Sequence, residues 1–283
     1  MSEQNPPTGA TITSPANPRV KDLVSLRKRR TREREAVWLV EGYAELRLAV
    51  NAGVRPRSVF YCPVLLRCSD ELDLLRDVHI RGAEIVSLSR PAFERASQRE
   101  SPDGWLAVVP ALAHDLGSLR LSALPLVLVS ESVEKPGNLG ALLRTADATG
   151  VDAVIAASPV TDWGNPNVVR ASKGALFAVP IASGSASEVK AWCSAGGLHI
   201  VAADPEADAL FTEIDLTRPT AVVVGAEHDG LTATWRSADV TAARLPMVGS
   251  VNSINVSAAA AVVLYEAVRQ RQANSSRVQA QPP

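Results

Sequence analysis

Three stretches of the chain set polar side chains among small residues at the ends of apolar runs. They are Asn138-Leu139-Gly140-Ala141-Leu142-Leu143-Arg144, Gly225-Ala226-Glu227-His228-Asp229-Gly230-Leu231, and the stretch from Leu245 to Gln270, in which a small-residue loop over Val248 to Asn252 leads into a helix. Asn138 opens a helix, and Gly140 lets a backbone or a ligand approach closely. Arg144 follows on a neighbouring helical face, suited to grip a phosphate or to stand beside a reacting hydroxyl. Taken alone, it reads as an ordinary surface arginine. Glu227 follows a strand and a turn at Gly225, where open α/β sheets bind ligands; by itself it reads as a solvated loop carboxylate. Ser253 and Asn255 sit where a helix N-cap belongs. Small residues at a helix N-terminus leave N–H groups open to a ligand.

Other chemistries are poorly served. The first stretch lacks the G-x-G-x-x-G spacing of a dinucleotide fingerprint, and no Gly-Lys-Ser/Thr follows for a P-loop. No Ser-His-Asp or Cys-His arrangement is persuasive, and His228 reads as a solvated loop residue. Cys62, Cys68 and Cys193 are too few and too scattered for a disulfide framework or a zinc site. The 4 histidines show no ligand spacing, which argues against a metal enzyme.

The elements that must position these residues follow from the apolar pattern. Leu126–Val129 is a continuous apolar run, as expected of a strand buried on both faces in a parallel sheet. A helix follows from Asn138 to about Thr149. Strands are expected at 153–157, 177–181, 198–203, 220–224 and 242–245, with helices at about 185–195, 231–238 and 255–270. The first half alternates in the same way. A basic helix over 17–34 precedes strands at 37–40, 58–61, 84–88 and 104–109, with helices at 42–51, 64–78 and 91–97 between them. The segment 110–125 reads as irregular, with Gly117, Ser118, Ser122 and Pro125. The resulting plan is a disordered arm (1–16), a small α/β domain (17–110), a linker (111–125), a second α/β domain (126–272) and a disordered tail (273–283).

Composition bounds the function. The 283 residues are 46% hydrophobic and 21% charged, an ordinary globular balance with room for two domains. No apolar run reaches the ~18 residues of a membrane span. The polar start lacks a secretory signal, so a cytoplasmic protein is expected. Net charge is −1, but Arg19, Lys21, Arg27, Lys28, Arg29, Arg30, Arg32 and Arg34 cluster against only Asp22 and Glu33. Such a cluster suits phosphate contacts, or is a solvated basic helix face. Arg170 and Lys173, amid small residues, read as an RNA-facing edge or the end of a helix at Gly174.

In this order and spacing, the three motifs resemble those of the SpoU (TrmH-type) RNA ribose 2'-O-methyltransferases, over roughly residues 126–270. The basic, compact first domain resembles the ribosomal-protein-like RNA-binding domain that often precedes the catalytic one in this family. The whole is similar to the two-domain rRNA-directed and antibiotic-resistance members. The resemblance implies a C-terminal sheet domain with a deep trefoil knot over about Thr220 to Tyr265, S-adenosylmethionine as cofactor, a homodimer, and methylation of a ribose 2'-hydroxyl in large-subunit (23S) rRNA. It assigns Gly225, Leu245 and Ile254 to the cofactor, with Ala203 beside them. It assigns Arg144 to the reacting hydroxyl, with Asn138 and Glu227 orienting it and Ser253 and Asn255 positioning the hydroxyl. Arg27, Lys28, Arg29, Arg30, Arg170 and Lys173 are the expected RNA contacts. Ala226 and Ile254 depart from the usual residues and leave the flanking groups intact. Two other readings stand beside this one: a tRNA-directed enzyme of the same family, and a non-catalytic RNA-binding protein of the same fold.

Overall fold

The structure, a computed structural model, describes residues 11–67, 71–227 and 229–279. The first ten residues of the expected arm, Cys68, His228 and the last four residues of the expected tail lie outside the described residues. In chain order the elements are β1 (Thr11–Ile12), α1 (Pro18–Ser25), α2 (Arg29–Glu35), β2 (Val37–Glu41), α3 (Tyr43–Asn51), β3 (Ser58–Tyr61) and α4 (Glu71–Ile80). There follow β4 (Glu84–Leu88), α5 (Arg90–Ala96), β5 (Trp105–Pro110), β6 (Leu126–Glu131), α6 (Pro136–Thr149) and β7 (Ala153–Ala157). The last are α7 (Pro166–Ala171), α8 (Ala175–Ala178), β8 (Ile181–Gly184), α9 (Ala186–Ala195), β9 (His199–Ala203), β10 (Thr220–Val224), β11 (Thr241–Ala243) and α10 (Val256–Gln279).

The elements form two compact units. One holds the chain up to Leu112 together with Asp162–Ala178. Its mixed sheet runs β1-β4-β3-β5-β2. Thr11 and Ile12, expected in a disordered arm, pair in parallel with Ser87 and Leu88, and Ile12 is buried in the core with Leu88 and Phe93. The basic segment is two helices rather than one. Asn17 caps α1 by accepting from the Arg19 N–H at 2.9 Å, with Pro18 at the first helical position. The break comes at Leu26–Lys28, where the buried Arg32 turns back to donate to the carbonyls of Leu26 and Arg27. Of the helix expected over 64–78, the described residues show a 3-10 turn at Pro63–Leu65 and α4 over Glu71–Ile80; residues 68–70 lie outside the described residues.

The segment Asp162–Ala178, read from sequence as part of the second domain, packs in this first unit for identifiable reasons. Asp162 takes both of its hydrogen bonds from Arg32 Nη2 at 2.8 Å. Gly164 lies so close to the Trp38 ring that a Cβ would overlap it, and Trp163 is buried. Gly174 has φ +94 and lies against Leu48. Helix α7 packs on β2 and α8 on α3. The strand expected at 177–181 therefore starts only at Ile181, after the helical turn of α8.

The other unit holds Ala113–Thr161 and the chain from Val179. Its sheet is parallel throughout, in the order β11-β9-β10-β6-β7-β8. The central strands β6, β7 and β10 are buried at every position, as continuous Val, Ile and Ala runs require. The segment expected to be an irregular linker belongs to this unit: Leu116, Leu119 and Leu121 pack against the core of Val127, Ile155 and Val223. Helix α9 starts with a capping box in which Ser185 and Glu188 bond reciprocally. Only a 3-10 turn, Ala233–Trp235, stands where a helix over 231–238 was expected. Helix α10 packs on α6 and β10. It continues to Gln279, past the point where a disordered tail was expected from Ala273. Arg271 and Gln270 hold its second half: Arg271 donates to the carbonyls of Leu124, Pro125, Leu216 and Arg218 at 2.8–3.0 Å, and Gln270 bonds Leu216 N and Ile214 O. Burial lowers the Arg271 pKa, and the carbonyls it meets satisfy its donors.

Candidate active site

Parallel strands leave their carboxyl ends on one edge of the sheet, and there the second unit opens a cleft of about 1110 Å³. Its walls come from the ends of β9 (Ala203, Asp204), β10 (Val224, Gly225) and the chain after β11 (Leu245, Met247), with the loop through Ser253 and Ile254. All four residues assigned to the cofactor by resemblance, Ala203, Gly225, Leu245 and Ile254, line this cleft.

The loop after β10 is tightly made. Ala226 and Gly230 exchange main-chain hydrogen bonds at 3.1 Å each. A Cβ on Gly225 would overlap the Gly230 carbonyl and stand 2.8 Å from Leu231 N. Gly225 is therefore required by the closure of its own loop. The far end of that loop is fastened by Glu131, the last residue of β6 and only 1% exposed. Its two oxygens accept from Thr232 N at 2.8 Å and Thr232 Oγ1 at 2.7 Å. A buried carboxylate is tolerated only with such partners.

At one end of the cleft, three of the expected catalytic residues meet. Asn138 Nδ2 and Lys135 Nζ donate to the two oxygens of Glu227. Asn255 Nδ2 donates to Asn138 Oδ1 at 3.1 Å. Asn255 Oδ1 accepts from Ser257 N at 3.0 Å, which caps α10. The direction of the relay is forced: an ionised carboxylate only accepts, so Asn138 presents its amide nitrogen to Glu227 and its oxygen to Asn255. Asn138 lies in the first turn of α6, where the helix dipole favours the neighbouring negative charge of Glu227.

Ser253 lines the cleft, exposed, with no side-chain hydrogen bond among the described residues. Arg144 is exposed on α6, about 120° around the helix from Asn138. Among the described residues no hydrogen bond or ion pair joins it to Asn138 or Glu227, so the expected orientation of Arg144 by those two is not seen. Of the expected RNA contacts, Lys28 and Arg30 are exposed on or beside α2. Arg29 is engaged with Glu33 at 2.7 Å, and that hydrogen bond raises its pKa. Arg27 donates to the carbonyls of Arg95, Ala96 and Ser97 and so closes the end of α5. Arg170 donates to Asn167 Oδ1 at 2.9 Å, and Lys173 stands 3.8 Å from Glu45.

Sequence reasoning missed Lys135, Glu131 and Thr232. Glu131 carried a signal: it is a carboxylate closing the apolar run of β6. Lys135 carried a weaker one, a cation beside the Pro136 that opens α6. Nothing local marks Thr232.

Comparison with known proteins agrees with this geometry. The model of the SpoU rRNA methylase family matches residues 125–265, and that of the MRM3-like substrate binding domain matches residues 17–107. The chain is 33% identical over 255 residues to the 23S rRNA (uridine(2479)-2'-O)-methyltransferase of Streptomyces viridochromogenes, covering 88% of each protein. The chain belongs to the SpoU methyltransferase family. Among solved structures, one of an RNA 2'-O ribose methyltransferase superposes with a TM-score of 0.81 at 38% identity, covering 93% of this chain and 99% of that one. The SpoU methyltransferase AviRb from S. viridochromogenes, in complex with AdoMet, gives 0.82 at 31% identity, covering 91% of this chain and 100% of that one. The α/β class expected from the resemblance, and the parallel sheet expected from the apolar run at Leu126–Val129, are those of the second unit.

Proposed function

We propose that the chain transfers a methyl group from S-adenosylmethionine to a ribose 2'-hydroxyl of large-subunit (23S) rRNA in the cytoplasm. The observation that carries this is the Asn138–Glu227–Asn255 relay standing at the edge of the strand-end cleft. Similarity over nearly the whole chain to a 23S rRNA 2'-O-methyltransferase supports the substrate class.

The residues of the cleft fit the cofactor. Among the described residues, the main-chain groups of Leu245, Met247 and Ile254 have no main-chain partner, so they are open to the edge of a base. Their side chains supply apolar walls. Bound there, S-adenosylmethionine supplies an electrophilic methyl group on a sulfonium. The acceptor hydroxyl must lose its proton as it attacks. An arginine, with a pKa above ~12, is a poor base. Arg144 is therefore assigned to stabilise the developing alkoxide, with an RNA phosphate as proton acceptor. Asn138, Glu227 and Asn255 hold the loops in register, and Ser253 faces the hydroxyl. Lys28, Arg30, Arg170 and Lys173 of the first unit are assigned to RNA phosphates, with Arg27 and Arg29 beside them.

We read residues 17–110 as the RNA-binding domain and 126–272 as the catalytic domain, assembled as a homodimer through the latter. The exposed Val262 and Tyr265 on α10 support such a contact. The knot over about Thr220 to Tyr265 belongs to the same reading. The return of the chain from β11 at the sheet edge to Asn255, bonded to α6, supports it.

The test is transfer of labelled methyl to unmodified rRNA and to tRNA, with reverse-transcription stops mapping the site. One ribose stop in 23S rRNA, lost in Arg144→Ala, is expected. Label in tRNA alone would replace the substrate, and cofactor binding without transfer to either RNA would remove it. Neither transfer nor cofactor binding would leave a non-catalytic RNA-binding protein. Expression in a susceptible host, scored against ribosome-targeting antibiotics, tests the resistance role implied by the two-domain resemblance.

A further inference from the structure

On the cleft wall β9 and β11 run in parallel register, Ala203 opposite Ala243, and the ladder goes one step further where Asp204 N donates to the Ala243 carbonyl at 3.0 Å. Asp204 and Arg244 therefore end the two strands side by side, and both line the cleft. The main chain fixes Arg244 in place: its N–H donates to the Ala209 carbonyl at 2.9 Å, and its carbonyl accepts from Phe211 N at 3.0 Å. Its half-buried side chain has no hydrogen bond or ion pair among the described residues. Asp204 turns instead to Arg236, with Oδ2 3.5 Å from Arg236 Nε, while its Oδ1 accepts from Glu206 N at 3.0 Å. One largely buried carboxylate thus serves two arginines, and the Arg244 guanidinium is left without an acceptor. Glu206 and Asp229 also line the cleft and are exposed. With these carboxylates present, the cleft is not a basic channel of the kind that tracks phosphates. It suits a ligand of both signs, with one carboxylate for the unpaired fork and positive charge for the acidic groups.

We propose that Arg244 is a specificity-determining residue of the cofactor site: its guanidinium takes the α-carboxylate in the methionine half of S-adenosylmethionine, beside the Arg236–Asp204 pair. The proposal rests on the reading of the cleft as the S-adenosylmethionine site. A guanidinium presents a planar fork whose two N–H donors match the two oxygens of a carboxylate. The main-chain bonds on both sides of Arg244 limit what must be ordered when the ligand arrives. The sulfonium and the α-ammonium bring two positive charges, which Asp204, Glu206 and Asp229 balance within the same cleft. An RNA phosphate has no positive charge of its own and gains nothing from those carboxylates.

The experiment is titration calorimetry of the full chain with S-adenosylmethionine and with its decarboxylated form, which keeps both positive charges and lacks only the carboxylate. Wild type is expected to bind the decarboxylated form about five- to fiftyfold more weakly, the range of a partly solvated hydrogen bond between charged groups. Arg244→Met should lose the same factor for S-adenosylmethionine and little or nothing for the decarboxylated form. Arg244→Lys should fall between, since a point charge replaces the fork. Thermal melts and the Kd for transcribed 23S rRNA are the controls. Equal binding of the two ligands by wild type would overturn the proposal without any substitution. So would equal losses for both ligands in Arg244→Met, the mark of a structural arginine. Arg244→Met that loses affinity for rRNA and keeps it for S-adenosylmethionine would overturn the proposal in favour of a phosphate contact. A wild-type chain that binds neither ligand would remove the reading of the cleft itself.

Discussion

Asn255 does two jobs with one side chain, and they can be separated. Its oxygen caps α10 through Ser257 N at 3.0 Å, and its nitrogen reaches Asn138 at 3.1 Å. Asn255→Ala removes both. Loss of an N-cap costs about 1 kcal/mol, which in a chain of this size lowers the melting temperature by about 2–4 °C. Asn255→Ser keeps a hydroxyl that can cap, but it is too short to span to Asn138. Its melting temperature should therefore stay within about 1 °C of wild type. The relay hydrogen bond is neutral on both sides, worth about 0.5–1.5 kcal/mol net. If it holds the reacting groups in register, Asn255→Ser should lose roughly two- to tenfold in kcat/KM for RNA. The assay is initial-rate methyl transfer at saturating cofactor, run beside thermal melts of the same preparations. Wild-type turnover in Asn255→Ser would refute the relay as a functional element and leave Asn255 as a cap alone.

Other outcomes follow from the same structure. Gly225→Ala forces a Cβ into the Gly230 carbonyl; it should cost about 1–3 kcal/mol and weaken cofactor binding in titration calorimetry, whereas an unchanged Kd would mean the loop yields. Asp162→Asn leaves the buried Arg32, 3% exposed, without its charge partner; urea unfolding should show a loss of about 3 kcal/mol, and a loss below about 1 would show that the guanidinium finds another acceptor. Asp239 is held down to about 2 by hydrogen bonds from Lys190 and Ser237. Its contribution to stability is present above pH ~4 and lost as the pH falls towards about 2. Lys190→Ala should bring its NMR titration back towards the ordinary carboxylate range.

Much of the fold was legible in local pattern. Strands β7 and β10 lie where their apolar runs end, at Ala153–Ala157 and Thr220–Val224, because a strand buried on both faces has no polar position to blur it. The start of α10 was marked by Asn255, whereas α6, expected from Asn138, begins two residues earlier at Pro136, whose fixed φ suits a first helical position. Where the reading slipped, a distant partner overruled local propensity. Arg32 broke the basic helix by bonding the carbonyls of Leu26 and Arg27 while pairing with Asp162. Thr11 and Ile12 look like polar arm until Ser87 and Leu88 offer them a sheet edge.

The site divides along the same line. Asn138, Glu227 and Asn255 were picked out by the resemblance of the three motifs taken together, since singly a helix-start amide, a loop carboxylate and an N-cap carry no functional mark. That these three touch, that Lys135 joins them and Arg144 does not, and that Glu131 fastens Thr232 from 101 residues away depends on which strands stand side by side. The order β9-β10-β6 sets the loop after β10 beside the start of α6, and strand order is chosen by the packing of the whole core rather than by any stretch of it.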